Sequence, residues 1–137
     1  MRVLALDHGT KRIGLAISDE MGIIALPLEF VPAEPFSGFL DRLTEIIREK
    51  QVQRLLVGMP RNMDGSYGPA AQKVHEFIAH LKEVVSIPIQ TWDERLTSAQ
   101  ANRLLIQADV RRKDRKSKVD KTAAAILLQS YLDSVAS

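Results

Sequence analysis

The stretch Met1 to Asp19, MRVLALDHGTKRIGLAISD, decides how the rest of this chain folds. Arg2 to Leu6 alternates in polarity and ends in an acid, Asp7; His8-Gly9-Thr10-Lys11 then leads into a second alternating run, Arg12 to Ser18. Two runs of period two joined by a glycine-containing connection predict a β-hairpin. Side chains alternate along a strand, so Asp7 shares a face with Val3 and Ala5. A carboxylate at the end of a buried strand is costly unless something cationic meets it. An Asp that caps the following turn satisfies the same pattern. Both readings stay open at this point.

Outward from the hairpin, Asp19-Glu20-Met21-Gly22 is a turn signal and Ile23 to Val31 reads as a third strand. Pro27 places that strand at an edge, because proline cannot donate to a ladder. Phe36, Phe39, Leu40, Leu43, Ile46 and Ile47 fall at helical spacing and predict an amphipathic helix from Phe36 to Lys50. Arg54 to Gly58 is a short apolar strand ended by Met59-Pro60. A glycine-rich loop, Arg61 to Gly68, precedes Pro69, which suits the first turn of a helix. Val74, Phe77, Ile78, Leu81 and Val84 mark the buried stripe of that helix. Ile87 to Trp92 predicts a fifth strand that ends in Asp93 and Glu94. Thr97 and Gln100 form a capping-box pattern for a helix starting near Ser98. A basic segment follows, and Asp120 to Val135 reads as the last helix.

This order, β-β-β-α-β-α-β-α-α, predicts an α/β protein with a five-stranded mixed sheet. Strands one to three form a meander, and right-handed crossovers bring strands four and five alongside strand one, giving the order 3-2-1-4-5. Functional groups in such sheets gather beyond the carboxyl ends of the parallel strands, which here are Asp7, Gly58 and the Asp93-Glu94 pair. The 137 residues carry no repeat or linker and are expected to form a single domain, 1–137, with a proper core. No apolar run approaches the ~18 residues of a membrane span. Nor does the N-terminus develop a signal-peptide core before Asp7, so a cytoplasmic location and no membrane partner are expected. The chain has no cysteine, which excludes disulfides and thiolate metal sites. Net charge is +2 and the pI about 9.0, a balance that permits a polyanionic partner without requiring one.

Asp120 adds a third acid, on the same helical face as Ala124 and Leu127. That face packs on the sheet, so Asp120 points inward along the seam, unless it serves only as the helix N-cap. Like charges held together without a counter-ion raise one another's pKa and destabilise the fold. Mg²⁺ or Mn²⁺, which take oxygen ligands, relieve this. Two such ions, typically ~3.5–4 Å apart, activate water and stabilise the leaving oxygen in phosphodiester displacement. Asp7 is then the bridging ligand, with Glu94 and Asp120 completing the site. Asp93 is the alternative to Glu94, since neighbours on a strand face opposite ways.

Asp7 to Asp19 resembles the opening motif of the YqgF family, also called RuvX. The resemblance recurs in Val57-Gly58-Met59-Pro60 with Asp64-Gly65 and Gly68, in Asp93-Glu94-Arg95-Leu96-Thr97, and in Asp120-Lys121-Thr122-Ala123-Ala124-Ala125-Ile126-Leu127-Leu128-Gln129. These blocks run in the family's order over nearly the whole chain. The resemblance implies an RNase H-like fold and a metal-dependent nuclease, a hydrolase acting on ester bonds. Family members are named as Holliday-junction resolvases, in DNA recombination, or as nucleases of pre-16S rRNA, in ribosome biogenesis. It also implies that Asp7, Asp120 and one acid of the Asp93-Glu94 pair are the metal-binding, catalytic acids.

From Arg111 to Lys121 the chain reads RRKDRKSKVDK, seven bases against two acids. Such a run is ordinarily a solvated helix end. Beside a metal site it reads as phosphate contact, through Arg111, Arg112, Lys113, Arg115, Lys116 and Lys118, and salt should weaken it steeply. Lys11, Arg12, Arg61 and Arg95 lie near the same edge and extend the nucleic-acid-binding set. Trp92 and Tyr67 are candidate stacking groups, Trp92 the better candidate for burial, while His8, His75 and His80 read as incidental loop or surface residues. Few aromatic residues remain to read bases, so a backbone- or shape-reading enzyme on structured RNA or branched DNA is expected. Symmetric resolution of a junction requires a homodimer, whereas trimming an RNA end requires only a monomer. Two other classes compete: a non-catalytic RNA- or ribosome-binding module, and a nucleotide-binding phosphotransferase suggested by Asp-x-Gly-Thr at Asp7 to Thr10.

Overall fold

Alternation and helical periodicity together produce eight elements among the described residues. A computed structural model describes residues 1–60, 64, 66–94 and 112–136, with the side chains of 112–122 outside the description. The elements are β1 (Val3–Asp7), β2 (Arg12–Ser18), β3 (Ala25–Pro32), α1 (Phe36–Lys50), β4 (Arg54–Met59), α2 (Pro69–Val84), β5 (Ile89–Asp93) and α3 (Arg112–Ala136). The sheet order is β3-β2-β1-β4-β5. β1 pairs antiparallel with β2 and parallel with β4, and β4 parallel with β5. The expected mixed sheet is therefore the observed one, with β3 and its Pro27 at an edge. The β2–β3 register shifts between Leu15 and Ala16, beside the Ala16–Pro27 pair.

The period-two pattern divides the core in two. Leu4, Leu6, Ile13, Leu15, Leu55 and Val57 face α1 and α2, meeting Phe39, Leu43, Ile46, Val74, Phe77 and Leu81. Val3, Ala5, Ala16 and Leu56 face the other way, onto Ala124, Ala125, Leu127, Leu128, Tyr131 and Leu132 of α3. Each fully buried Leu or Phe contributes roughly 1.5–3 kcal/mol by leaving water, so both faces of the sheet are held apolar.

Three boundaries differ from the sequence reading, each for a local reason. β3 begins at Ala25 because the N–H groups of Ile23 and Ile24 donate to Asp19 Oδ1, at 2.7 and 3.1 Å, in place of a strand partner. β5 begins at Ile89 because Pro88 offers no N–H, only a carbonyl that accepts from Leu55 N at 2.9 Å. The last helix begins at Arg112 instead of Asp120, so Asp120 lies inside it and is not an N-cap. Arg and Lys are good helix formers, and no Gly or Pro interrupts the run, so the helix propagates back from its buried stripe. The helix expected near Ser98 falls outside the described residues.

Polar clips fix the direction of α3. The Tyr131 hydroxyl accepts from Arg54 Nη1 at 2.8 Å and donates to Gln90 Oε1 at 3.3 Å. Gln129 Oε1 accepts from Ala25 N, and its Nε2 donates to the Ile23 carbonyl, both at 2.9 Å. These partners begin β4, β5 and β3, so α3 runs against the parallel strands. At ~1.5 Å per residue, residue 120 precedes Tyr131 by about 16 Å of helix. β4 from Arg54 to Gly58 covers about 13 Å. The backbone of α3 thus carries residue 120 to the level where β1 and β4 end.

Candidate active site

The ends of β1 and β5 bring two acids together. Asp7 has the parity of Val3 and Ala5, and Glu94 follows Gln90 and Trp92 at steps of two, so both belong to the α3 side of the sheet. The register sets Asp7 opposite Gly14. A Cβ on Gly14 would stand 3.7 Å from Asp7 Cβ, and one on Gly58 only 2.7 Å from Glu94 Oε1. The missing side chain at 58 leaves the space in which the Glu94 carboxyl lies. A third glycine shapes the connection, because a Cβ on Gly9 would meet the Arg12 carbonyl oxygen at 2.4 Å.

Asp7 and Glu94 are half-buried and hydrogen-bonded to each other through their carboxyl groups. Glu94 is pushed up to about 7, first by burial, then by the Asp7 charge, their hydrogen bond and Asp93. Burial also raises Asp7, while the neighbouring His8 and the hydrogen bond from Glu94 pull it back. Burial and their mutual charge thus favour a proton shared by the pair over two ionised carboxylates. Of the Asp93-Glu94 pair, Glu94 meets Asp7, and the Asp93 charge bears on Glu94.

A cavity of about 330 Å³ opens over this pair, lined by Asp7, His8, Thr10, Lys73, Val74 and Glu94, among others. Lys73, on the exposed side of α2, was not singled out by sequence. The signal was its place one turn after Pro69, where α2 starts beside the strand ends. The His8 ring is half-buried 4.6 Å from that of Phe77, and burial lowers its pKa, with Asp7 opposing and Lys73 adding to the drop.

Other expected residues fall elsewhere. The Arg12 guanidinium sits over the Phe30 ring, 4.1 Å from its centroid, and Lys11 is exposed on the hairpin connection. Arg61, Arg95 and Arg111 lie outside the described residues. Arg112, Lys113, Arg115, Lys116 and Lys118 occupy the first half of α3, placed by backbone alone. Trp92 is taken up by packing: its ring stands edge-on to Tyr131 and its Nε1 donates to Ser130 Oγ at 3.1 Å. Among the described residues no three ligating side chains cluster. Asp7 and Glu94 make a pair whose expected third member, Asp120, has its side chain outside the description. No described helix is long and apolar enough to cross a membrane.

Solved structures similar to this chain share its fold. RuvC of T. thermophilus in complex with a Holliday junction substrate aligns over 99% of this chain and 96% of its own, with TM-score 0.63 and 14% identity. The fowlpox virus Holliday junction resolvase aligns over 98% and 99%, with TM-score 0.54 and 15% identity. The fold is the RNase H-like one. Within it, residues 1–134 match the family described as "RuvX: Holliday junction resolvase", and the chain belongs to that RuvX (YqgF) family. A relative from Desulforamulus reducens, named "Putative pre-16S rRNA nuclease", is 49% identical over 134 residues, 98% of each chain. One from Geobacillus kaustophilus with the same name is 49% identical over 136 residues, covering 98% of this chain and 99% of its own. Family membership makes the chain a nuclease, a hydrolase of phosphodiester bonds.

Proposed function

We propose that this chain, acting as one domain in the cytoplasm, is a divalent-metal-dependent nuclease that processes the 5′ end of pre-16S rRNA. The observation that carries the chemistry is the hydrogen-bonded Asp7–Glu94 pair at the carboxyl ends of β1 and β5. The donor set fits a hard cation: it offers only oxygens, and a pair that cannot comfortably ionise twice is what a divalent ion relieves. When bound there, Mg²⁺ or Mn²⁺ would supply Lewis-acid charge and a water acidic enough to attack phosphorus.

The chain's own residues do the rest. Asp7 and Glu94 would hold the ion, with Asp120 as third ligand from α3. Gly58 keeps the Glu94 carboxyl seated against the strand. Lys73, at the rim of the cavity, meets the negative phosphate. Lys11, Arg12, Arg61 and Arg95 and the basic half of α3 hold the flanking backbone, a term that carries little sequence information. The RNA substrate is supported by the names of relatives sharing nearly half their residues over nearly full length. The family description favours a second reading, cleavage of Holliday junctions, which needs two copies of the chain.

Asp7→Asn tests the proposal on precursor rRNA and on a four-way junction, with Mg²⁺ or Mn²⁺ supplied. Cleavage should fall at least about a hundredfold, the scale on which a lost electrostatic group acts. Unchanged cleavage by the variant removes the mechanism, and comparison of the two substrates decides between the readings.

A further inference from the structure

A second concavity adjoins the first along α2. It measures about 450 Å³, and Phe36, Phe77, His80, Glu34 and Glu76 line it. His8, Thr10 and Lys73 line both cavities. Helix α2 borders both, with Val74 at the first and Phe77 at the second, and His8 has the parity of Leu4 and Leu6, which face α1 and α2. The two spaces therefore meet around the end of β1.

The lining has a distinct chemistry. Phe36 packs 6.0 Å from Phe77 and 5.7 Å from His80, the latter edge-on, while His8 lies against Phe77. Four rings thus form one continuous group in an open cleft of ligand size. Phe36 and Phe77 are anchored in the core by Phe39, at 6.0 and 5.6 Å, so the platform is rigid. The two carboxylates, Glu34 and Glu76, make the cleft a poor phosphate site. They suit the exocyclic amino groups of a base, which donate hydrogen bonds to carboxylates. Lys73, which lines both cavities, stands where the connecting phosphate would cross from one to the other.

We infer that this cleft is a subsite for one unpaired nucleotide adjacent to the scissile phosphate, its base stacked against Phe36 and His80. The inference deepens the nuclease reading and rests on it. Its consequence is a substrate class: the strand must be single-stranded or frayed beside the cut, since a base held in a duplex cannot enter. Stacking on aromatic side chains tolerates every base, so the subsite selects an unpaired state more than a sequence.

The test uses the full chain and a short oligouridylate carrying one 2-aminopurine, titrated in chelator so that no cleavage occurs. Stacking should quench the probe severalfold. The same strand with an abasic residue at that position, or annealed into a duplex, should bind about tenfold more weakly. His80→Ala, at an exposed position, should erase the gap between base-bearing and abasic strands, and Phe36→Leu, which keeps an apolar core residue, should do the same. Equal affinity for all three strands overturns the subsite. A parallel cleavage assay separates the two claims. Cleavage without base preference leaves the nuclease and removes the subsite; base-dependent binding without cleavage does the reverse.

Discussion

The two ends of the parallel strands handle their polar groups in opposite ways. At the amino ends, most polar groups find complementary partners, the buried Arg2 Nε being an exception. Arg54, Gln90 and Tyr131 satisfy one another, Gln129 clips the edge strand, and buried Ser18 accepts from Val3 N at 2.8 Å. At the carboxyl ends, two acids are pressed together over a glycine and favour a shared proton. The first arrangement lowers the free energy of the folded chain; the second raises it and leaves a demand for positive charge. A large cavity is not by itself the mark of chemistry: a groove of about 550 Å³ near Arg2, Asp19 and Lys50 exceeds the one over Asp7 and Glu94, yet its acids, Asp19 and Glu20, are neither buried nor pressed together.

Changes at the two ends should therefore affect different observables. The largest effect is expected from Gly58→Ala. Its new Cβ would intrude to 2.7 Å from Glu94 Oε1, so the carboxyl must move. A displacement near 1 Å can cost about a hundredfold in rate. Steady-state cleavage should show that loss while the melting temperature changes little; an active Gly58→Ala enzyme would break the contrast.

Next comes the pH dependence of the metal-free protein. Glu94 titrates near 7 when folded against 4.5 ordinarily, so between those values the folded state binds more protons than the unfolded one. Stability should fall as pH rises through that window and stay low above it. The loss is on the order of 1–2 kcal/mol once solvent screening of a half-exposed group is allowed for. Glu94→Gln should flatten the slope in thermal melts taken across the window in chelator, and a slope that persists would place the strain elsewhere.

The smallest effect belongs to the other end. Gln129→Ala removes two hydrogen bonds to the edge of β3, worth about 1 kcal/mol each. The melting temperature should drop by several degrees with kcat unchanged; a fall in kcat would mean that the ends are coupled.

The strand order, Asp7 and its face were legible in the sequence because they rest on period-two alternation and crossover rules, which are local. Which of Asp93 and Glu94 lies against Asp7 was not, since that depends on where β5 stops and on the space above Gly58. The start of α3 was misplaced because a basic run looks like a loop when its charges are counted and like a helix when its propensities are. Lys73 and the ring group with His8 escaped notice because neighbours from β1, α1 and α2 assemble only in three dimensions. Gln129, part of the motif that carried the family resemblance, turned out to hold β3 in place.

Pro27 carries a consequence for behaviour at high concentration. Met21, Ile23, Ile24 and Leu26 are each at least 50% exposed, three of them just ahead of β3 and Leu26 within it. Greasy residues beside an open sheet edge invite chains to add to one another as strands. A residue without an N–H, set next to a register shift, interrupts the ladder that a newcomer would need. Replacing Pro27 by a good strand former such as Val should turn a well-behaved solution into one that scatters light on standing.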